Sequence, residues 1–294
     1  MGKMKLSLPD RNPISGGEVP EVVLNRKDIL DLDDFSTEEI GLVLETTDAM
    51  REVLSRPIAR VPALRGKTVV NLFYEASTRT RVSFELAGKN LSADVVNVSV
   101  SGSSVEKGES LIDTVRTLRA LGADILVMRH WQSGAPYLVA QHHAGSVINA
   151  GDGWHAHPTQ ALLDLYTIRD HLGHLKDVTV VILGDVQHSR VARSNLWGLT
   201  KMGARVIVCG PPTLLPSGDW ASLYGVETSD NLDQILPEAD VIMPLRLQKE
   251  RMTGGLLPSI REYAQIYQIN EARLARCRPG VLVMHPGPMN EGVE

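Results

Sequence analysis

The sequence predicts an α/β protein of two doubly wound parallel-sheet domains, each with helices on both faces. Three observations carry that expectation. Short apolar runs such as "VVNLF", "DILVM" and "VVILG" alternate with segments of helical period along almost the whole chain. Parallel neighbours need a crossover and the crossover is a helix, so the alternation implies parallel sheets covered on both sides. The series also runs twice, with a break near 150–158, and 294 residues at 43% hydrophobic content suffice for two cores. Finally, chemically versatile side chains cluster behind the strands, where ligands bind in such sheets.

Taken in order, residues 1–28 hold Pro9, Pro13, Gly16, Gly17 and Pro20 without helical period and read as a poorly ordered lead-in. Ser36 and Glu39 have capping-box spacing, and Ile40, Val43, Leu44, Met50 and Leu54 follow on one helical face that stops before Pro57. "KTVVNLF" is then a strand, 79–91 a helix, "DVVNVSV" a strand, 109–121 a helix, "DILVM" a strand, 135–143 a helix and "SVINA" a strand. "HPTQALLDLYTIRDHL" reads as a long helix with Pro158 in its first turn, where a missing N–H is harmless. The second series comprises strand "DVTVVILGD", helix 190–201, strand "ARVIVCG", a helix around Leu232, strand "DVIMP", a helix near 270 and strand "GVLVMHP". The expected organisation is a lead-in over 1–28, a first domain over 29–155 and a second over 156–294.

Composition narrows the function classes. Thirty basic against 35 acidic residues give a net charge of −5, which removes the global attraction that non-specific nucleic-acid binding needs. Cys209 and Cys277 are too few for a disulfide framework or a thiolate cage and read as two buried thiols of a reducing compartment. No apolar run approaches a membrane span and the N-terminus lacks the order of a signal peptide, so the cytoplasm is expected.

Any anion site must therefore be local, and strand after strand supplies one edge with suitable groups. Ser77, Thr78, Arg79, Thr80 and Arg81 follow "VVNLF"; Arg129 and His130 follow "DILVM"; Asp152, His155 and His157 follow "SVINA". In the second series Asp185, His188 and Arg190 follow "VVILG", Arg246 and Gln248 follow "DVIMP", and His285 follows "VLVM". This places a composite site in the cleft between the two domains. Two arginines at a helix start oppose the helix dipole unless an anion sits there, so "STRTR" reads as a phosphate cradle; a plain Ser77 or Thr78 cap is the alternative. The turn lacks the Walker pattern, and "LGDVQHS" lacks the dinucleotide glycines, so neither ATP nor NAD is expected. "SGSSVEKGES" presents Lys107 on a Gly- and Ser-rich loop, which alone reads equally well as solvated surface. "HAHPTQ" fits a hydrogen-bonding edge of His157 and Gln160 better than a metal pair. Arg246 and Gln248 alternate, hence share one side of an extended segment and suit a carboxylate, while Lys249 and Arg251 read as the outside of a loop made mobile by Gly254 and Gly255.

With these residues in hand, the sequence resembles the aspartate and ornithine carbamoyltransferase family over nearly its whole length. "STRTR", "SSVEKGE", "MRH", "HPTQALLDL", "GDVQHSRVARS", "LRLQKER" and "HPGP" resemble its motifs in order. Glu75 before the cradle and "HPGP" resemble the aspartate branch. The resemblance implies transfer of the carbamoyl group of carbamoyl phosphate to the amine of L-aspartate, in pyrimidine synthesis. It further implies that Ser77, Thr78, Arg79 and Thr80 hold the phosphate and that Arg129 spans phosphate and carbonyl oxygen. Thr80, Arg129 and His157 would polarise that carbonyl, and Gln160 with the backbone carbonyl at Gly287–Pro288 would orient the carbamoyl NH2. Arg190, Arg246 and Gln248 would grip aspartate, and Ser103 and Lys107 would reach into a neighbour's site, making a homotrimer the active form. No metal, cofactor or covalent intermediate is implied, and the leaving phosphate would take the amine proton, since no base with a carboxylate orienter is evident. Whether a regulatory chain or a dihydroorotase joins the trimer stays open. Two other readings are transfer to another amino acid, as in the ornithine branch, and a non-catalytic scaffold subunit. The chain stops at Glu294, where family members usually continue into a helix returning to the first domain, and Glu291 stands where they usually carry a basic residue. That return helix is therefore expected to be absent.

Overall fold

The computed structural model describes residues 24–99, 108–248 and 255–294. The chain divides between Asp152 and Gly153 into two compact units.

In the first unit, helix α1 (Thr37–Leu54) opens with the capping box read from the sequence. The Ser36 hydroxyl accepts from the Glu39 N–H, and the Glu39 carboxylate accepts from the Ser36 N–H. Its buried residues are Ile40 and Leu44 on one side and Leu42 and Val53 on the other, whereas Leu54, expected on the Ile40 side, is 55% exposed. Next come a 3-10 turn (Pro62–Leu64), β1 (Thr68–Phe73), α2 (Thr78–Asn90), β2 (Asp94–Ser99), α3 (Leu111–Ala120), β3 (Ile125–His130), α4 (Ala135–His142) and β4 (Ser146–Asp152). The strands are all parallel, in the order β2-β1-β3-β4. Val70, Leu126, Met128 and Val147 pack under Val115 and Val139 on one face, while Val69, Phe73, Val127 and Ala150 pack with Leu64 on the other. Both faces are covered, which is why these strands read as continuous apolar runs.

Two expectations change here. Arg129 and His130 are the last two residues of β3 rather than loop, because Phe73 pairs with Arg129 and His130 with Asp152 in the ladder. Residues 26–29 are pinned rather than loose. Arg26 donates to both Glu39 oxygens at 2.7 and 2.9 Å and lies 4.1 Å over the Phe35 ring, Lys27 donates to the Ala140 and His143 carbonyls, and Ile29 bridges to Ile148. Long-range ion pairs leave no period in the sequence.

The second unit contains α5 (Pro158–Leu172), β5 (Thr179–Leu183), α6 (Arg190–Lys201), β6 (Arg205–Cys209), α7 (Trp220–Tyr224), β7 (Glu227–Ser229), α8 (Leu232–Ile235), β8 (Val241–Pro244), α9 (Ile260–Tyr267), α10 (Glu271–Leu274) and β9 (Leu282–Val283). Its parallel sheet runs β7-β6-β5-β8-β9. The core of one face joins Val181, Leu183, Ile207 and Ile242 to Leu232, Tyr263, Tyr267 and Val293. The helix expected near 270 is two helices, because Gln268 turns extended and Asn270 caps a new start by accepting from the Arg273 N–H. "GVLVMHP" shrinks to two paired residues, as an outer strand against the four-residue β8. β7, too short and polar to be read from the sequence, lies beyond β6. Gly184, at φ 116° just after β5, would bring a Cβ within 2.6 Å of the Tyr263 hydroxyl, so the turn leaving that strand requires glycine. Among the described residues no helix is long and apolar enough to cross a membrane.

Candidate active site

Each sheet has one point where successive strands are added on opposite sides. In the first unit it lies between β1 and β3, in the second between β5 and β8. A crevice opens at the carboxyl ends of the strands flanking such a point, and ligands bind there.

In the first unit, Ser77 occupies the N-cap position of α2 in extended conformation, yet its hydroxyl makes no capping bond. A plain Ser77 cap therefore fails to describe this turn, and its hydroxyl stays available beside the uncapped first-turn N–H groups. Thr78 and Arg79 are exposed, and Ser77, Thr80 and Arg81 half-buried. Arg129, fixed at the end of β3, reaches the same turn: its guanidinium donates to Thr80 Oγ1 at 3.4 Å and to the Ala150 carbonyl at 3.5 Å. Its other terminal nitrogen donates to Glu75 Oε1 at 2.6 Å. Glu75, singled out from the sequence only as a branch marker, thus braces Arg129, with the two side chains 23% and 13% exposed. The arrangement joins helix N–H groups, hydroxyls and guanidinium donors on one turn, the donor set for a phosphate group. His130 is buried against the Tyr74 and Trp131 rings, and burial lowers its pKa. Its Nδ1 accepts from the Gln132 N–H, so it serves the turn after β3. Ser103 and Lys107 lie outside the described residues, as do Lys249, Arg251 and Gly254.

In the second unit, His157 is the buried N-cap residue of α5, and its own N–H donates to Ser194 Oγ on α6 at 2.9 Å. Thr159 Oγ1 stands 3.5 Å from its Nδ1. Gln160, in the same first turn, donates through Nε2 to Asp164 Oδ1 at 2.9 Å, and Asn195 of α6 donates to Asp164 Oδ2 at 2.7 Å. Burial lifts the Asp164 carboxyl to about 6 against the pull of those two donors. After β5, Asp185 Oδ1 lies 2.8 Å from His188 Nδ1, both side chains buried, with the Trp154 ring edge-on to the imidazole at 4.7 Å. A histidine with a carboxylate orienter, missed in the sequence, thus does exist. Arg190, 5% exposed at the start of α6, donates to the Gly153 carbonyl at 3.3 Å. After β8, Leu247 points into the core while Arg246 and Gln248 are half-buried on either side of it, and Gln248 Nε2 lies 3.5 Å from the His188 carbonyl oxygen. Leu247 is gripped by the chain end: its N–H donates to Glu294 Oε1 at 3.0 Å, and Asn290 Nδ2 donates to its carbonyl at 3.2 Å and to Glu294 Oε1 at 2.6 Å. The Gly287–Pro288 peptide bond is cis, and the Gly287 N–H donates to His285 Nδ1 at 2.8 Å.

Two doubly wound units whose switch points carry guanidinium, hydroxyl and amide donors define an α/β protein equipped to hold anionic substrates. The description "Aspartate/ornithine carbamoyltransferase, carbamoyl-P binding domain" matches residues 27–170, and "Aspartate/ornithine carbamoyltransferase, Asp/Orn binding domain" matches 176–294. The chain belongs to the aspartate/ornithine carbamoyltransferase family. It is 66% identical over 271 residues to the aspartate carbamoyltransferase catalytic subunit of Chloroflexus aurantiacus, covering 92% of this chain and 88% of that one. It is 65% identical to the corresponding subunit of Roseiflexus castenholzii, over 92% of this chain and 85% of the relative. Among solved structures, Trypanosoma cruzi aspartate transcarbamoylase with carbamoyl phosphate superposes at a TM-score of 0.82 and 32% identity, over 91% of this chain and 87% of that chain. The same enzyme with N-(phosphonacetyl)-L-aspartic acid gives 0.83 and 33%, over 91% and 86%.

Proposed function

We propose that this chain transfers the carbamoyl group of carbamoyl phosphate to L-aspartate, giving N-carbamoyl-L-aspartate and phosphate for pyrimidine synthesis. The observation that carries the reading is the uncapped start of α2, with Ser77 unbonded to the helix and Arg129 braced onto Thr80 by Glu75. The first unit supplies the phosphate side through Ser77, Thr78, Arg79, Thr80 and Arg129. His157 polarises the carbonyl together with Thr80 and Arg129, while Gln160 and the backbone carbonyl at Gly287–Pro288 receive the carbamoyl NH2. Arg190, Arg246 and Gln248 bind the two aspartate carboxylates. The neutral amine attacks the carbonyl carbon, the charge of the tetrahedral intermediate falls on oxygen facing Thr80, Arg129 and His157, and the C–O bond to phosphate breaks as phosphate leaves with the amine proton. Catalysis rests on holding two mutually repelling anions in place and on donors aimed at the developing oxyanion. The working form is a cytoplasmic homotrimer in which Ser103 and Lys107 serve a neighbouring site; a regulatory chain or a dihydroorotase are the partner classes to look for.

The test is binding of N-(phosphonacetyl)-L-aspartate and steady-state formation of carbamoyl aspartate, with ornithine as rival acceptor. Tight binding and preference for aspartate are expected, and absence of binding, or faster transfer to ornithine, overturns the reading. Arg79→Ala should lower turnover by about 10² to 10³ while leaving the melting temperature unchanged, since Arg79 is an exposed donor with no packing role. A scaffold subunit would show no activity to lose.

A further inference from the structure

We propose that Asp164 is a positioning residue that sets the orientation of the Gln160 amide and thereby makes the site select a carbamoyl donor over an acetyl donor. This deepens, and rests on, the proposed carbamoyl transfer.

The two ends of a glutamine amide are nearly equal in size and opposite in hydrogen-bonding sense, so what matters to a substrate is which end faces it. Asp164 decides this. It lies one helical turn after Gln160 on α5 and is 4% exposed, and an ionised carboxylate only accepts, so the end of Gln160 facing it at 2.9 Å must be the NH2. The carbonyl oxygen Oε1 is then turned away from the buried carboxylate, on a half-buried side chain in the first turn of α5 beside His157. An acceptor there matches the NH2 of a carbamoyl group and finds nothing to bond in the methyl of an acetyl group, which is otherwise of the same shape. A site built around a substrate N–H discriminates against the analogue lacking it, because its own polar group is left unpaired.

The second oxygen of Asp164 makes the device asymmetric. It accepts from Asn195 Nδ2, which also donates to the Val191 carbonyl at 3.1 Å, so among the described residues Asn195 is held at two points while the Gln160 amide is held through Asp164 alone. Replacing the carboxylate by an amide leaves one acceptor for two donors. Asn195 keeps it, because turning over would break its bond to Val191. Gln160 is then driven to present its NH2 to the donor substrate.

The experiment compares kcat/KM for carbamoyl phosphate with that for acetyl phosphate, with L-aspartate as acceptor, in the full-length chain. In either reaction the amine bonds to the carbonyl carbon, the bond to the phosphate oxygen breaks and phosphate leaves with the proton, so only the NH2 or CH3 differs. Asp164→Asn should lower the ratio of the two by about tenfold, with acetyl transfer nearly unchanged. Asn195→Ala, which keeps the Gln160–Asp164 bond, should lose stability but retain the ratio. Asp164→Asn combined with Asn195→Asp restores an acceptor towards Gln160, should recover the ratio, and serves if the single variant does not fold. An equal loss with both donors in Asp164→Asn, or a swapped variant that folds without regaining selectivity, overturns the inference alone. A wild-type chain that makes no carbamoyl aspartate overturns the functional reading beneath it.

Discussion

At Asp164, burial and hydrogen bonding pull on one proton in opposite directions. Burial is the larger effect and lifts the carboxyl to about 6 from an ordinary value near 3.8. Between about pH 4 and 6 the folded chain therefore holds a proton that the unfolded chain has released. Stability contributed by this group is present below that window and falls as pH rises through it, by at most about 3 kcal/mol, then levels off. Urea titrations of wild type and Asp164→Asn should show the wild type losing stability relative to the variant from pH 4 to 6; a difference that grows in the opposite direction contradicts the assignment. This residue was not singled out from the sequence, although its spacing offered a signal. Gln160 and Asp164 are four apart in a helix, a spacing at which side chains meet. The Arg129–Glu75 pair spans 54 positions and the Ser194 contact to His157 spans 37, and no local pattern announces either. Sequence reading gathered the groups proposed to face a ligand because they follow strands; the groups that hold them lie far away in the chain and leave no such signal.

The segment 245–248 shows what an element this short requires. Leu245 still donates its N–H to the Leu183 carbonyl of β5 at 2.7 Å, but beyond it the segment has left β8, and Leu247 is buried with one N–H and one carbonyl to satisfy. Glu294 and Asn290 satisfy both, acting as a substitute for a neighbouring strand. Glu294→Ala would strand the Leu247 N–H and loosen Arg246 and Gln248 together. KM for aspartate should rise about five- to tenfold while carbamoyl phosphate binding, measured by calorimetry, stays the same. The strands and helices bearing the cradle were read within a few residues because their apolar period is strong. β7, the division between α9 and α10, and the contraction of β9 were not, since edge pairing and capping decide them.

For the molecule as a whole, the expected homotrimer supplies Lys107 from one chain to another, which makes complementation possible. Arg79→Ala and Lys107→Ala chains, each inactive alone, should regain carbamoyl aspartate formation when dissociated and reassembled together; inactivity of the mixture, with trimer mass shown in solution, would place Lys107 in its own chain's site. The twofold alternation of strand and helix was plain in the sequence, because parallel sheets covered on both faces impose it.

The switch points also bear on how such a chain can change over evolutionary time. In the proposed site, cradle and carboxylate grip are carried by separate sheets with separate cores, and two members of the grip, Arg246 and Gln248, lie within four residues beyond β8. Alterations there can retune the amine acceptor while the machinery for the activated donor is inherited intact. A change at Arg129 or Glu75 would instead be felt by every acceptor alike.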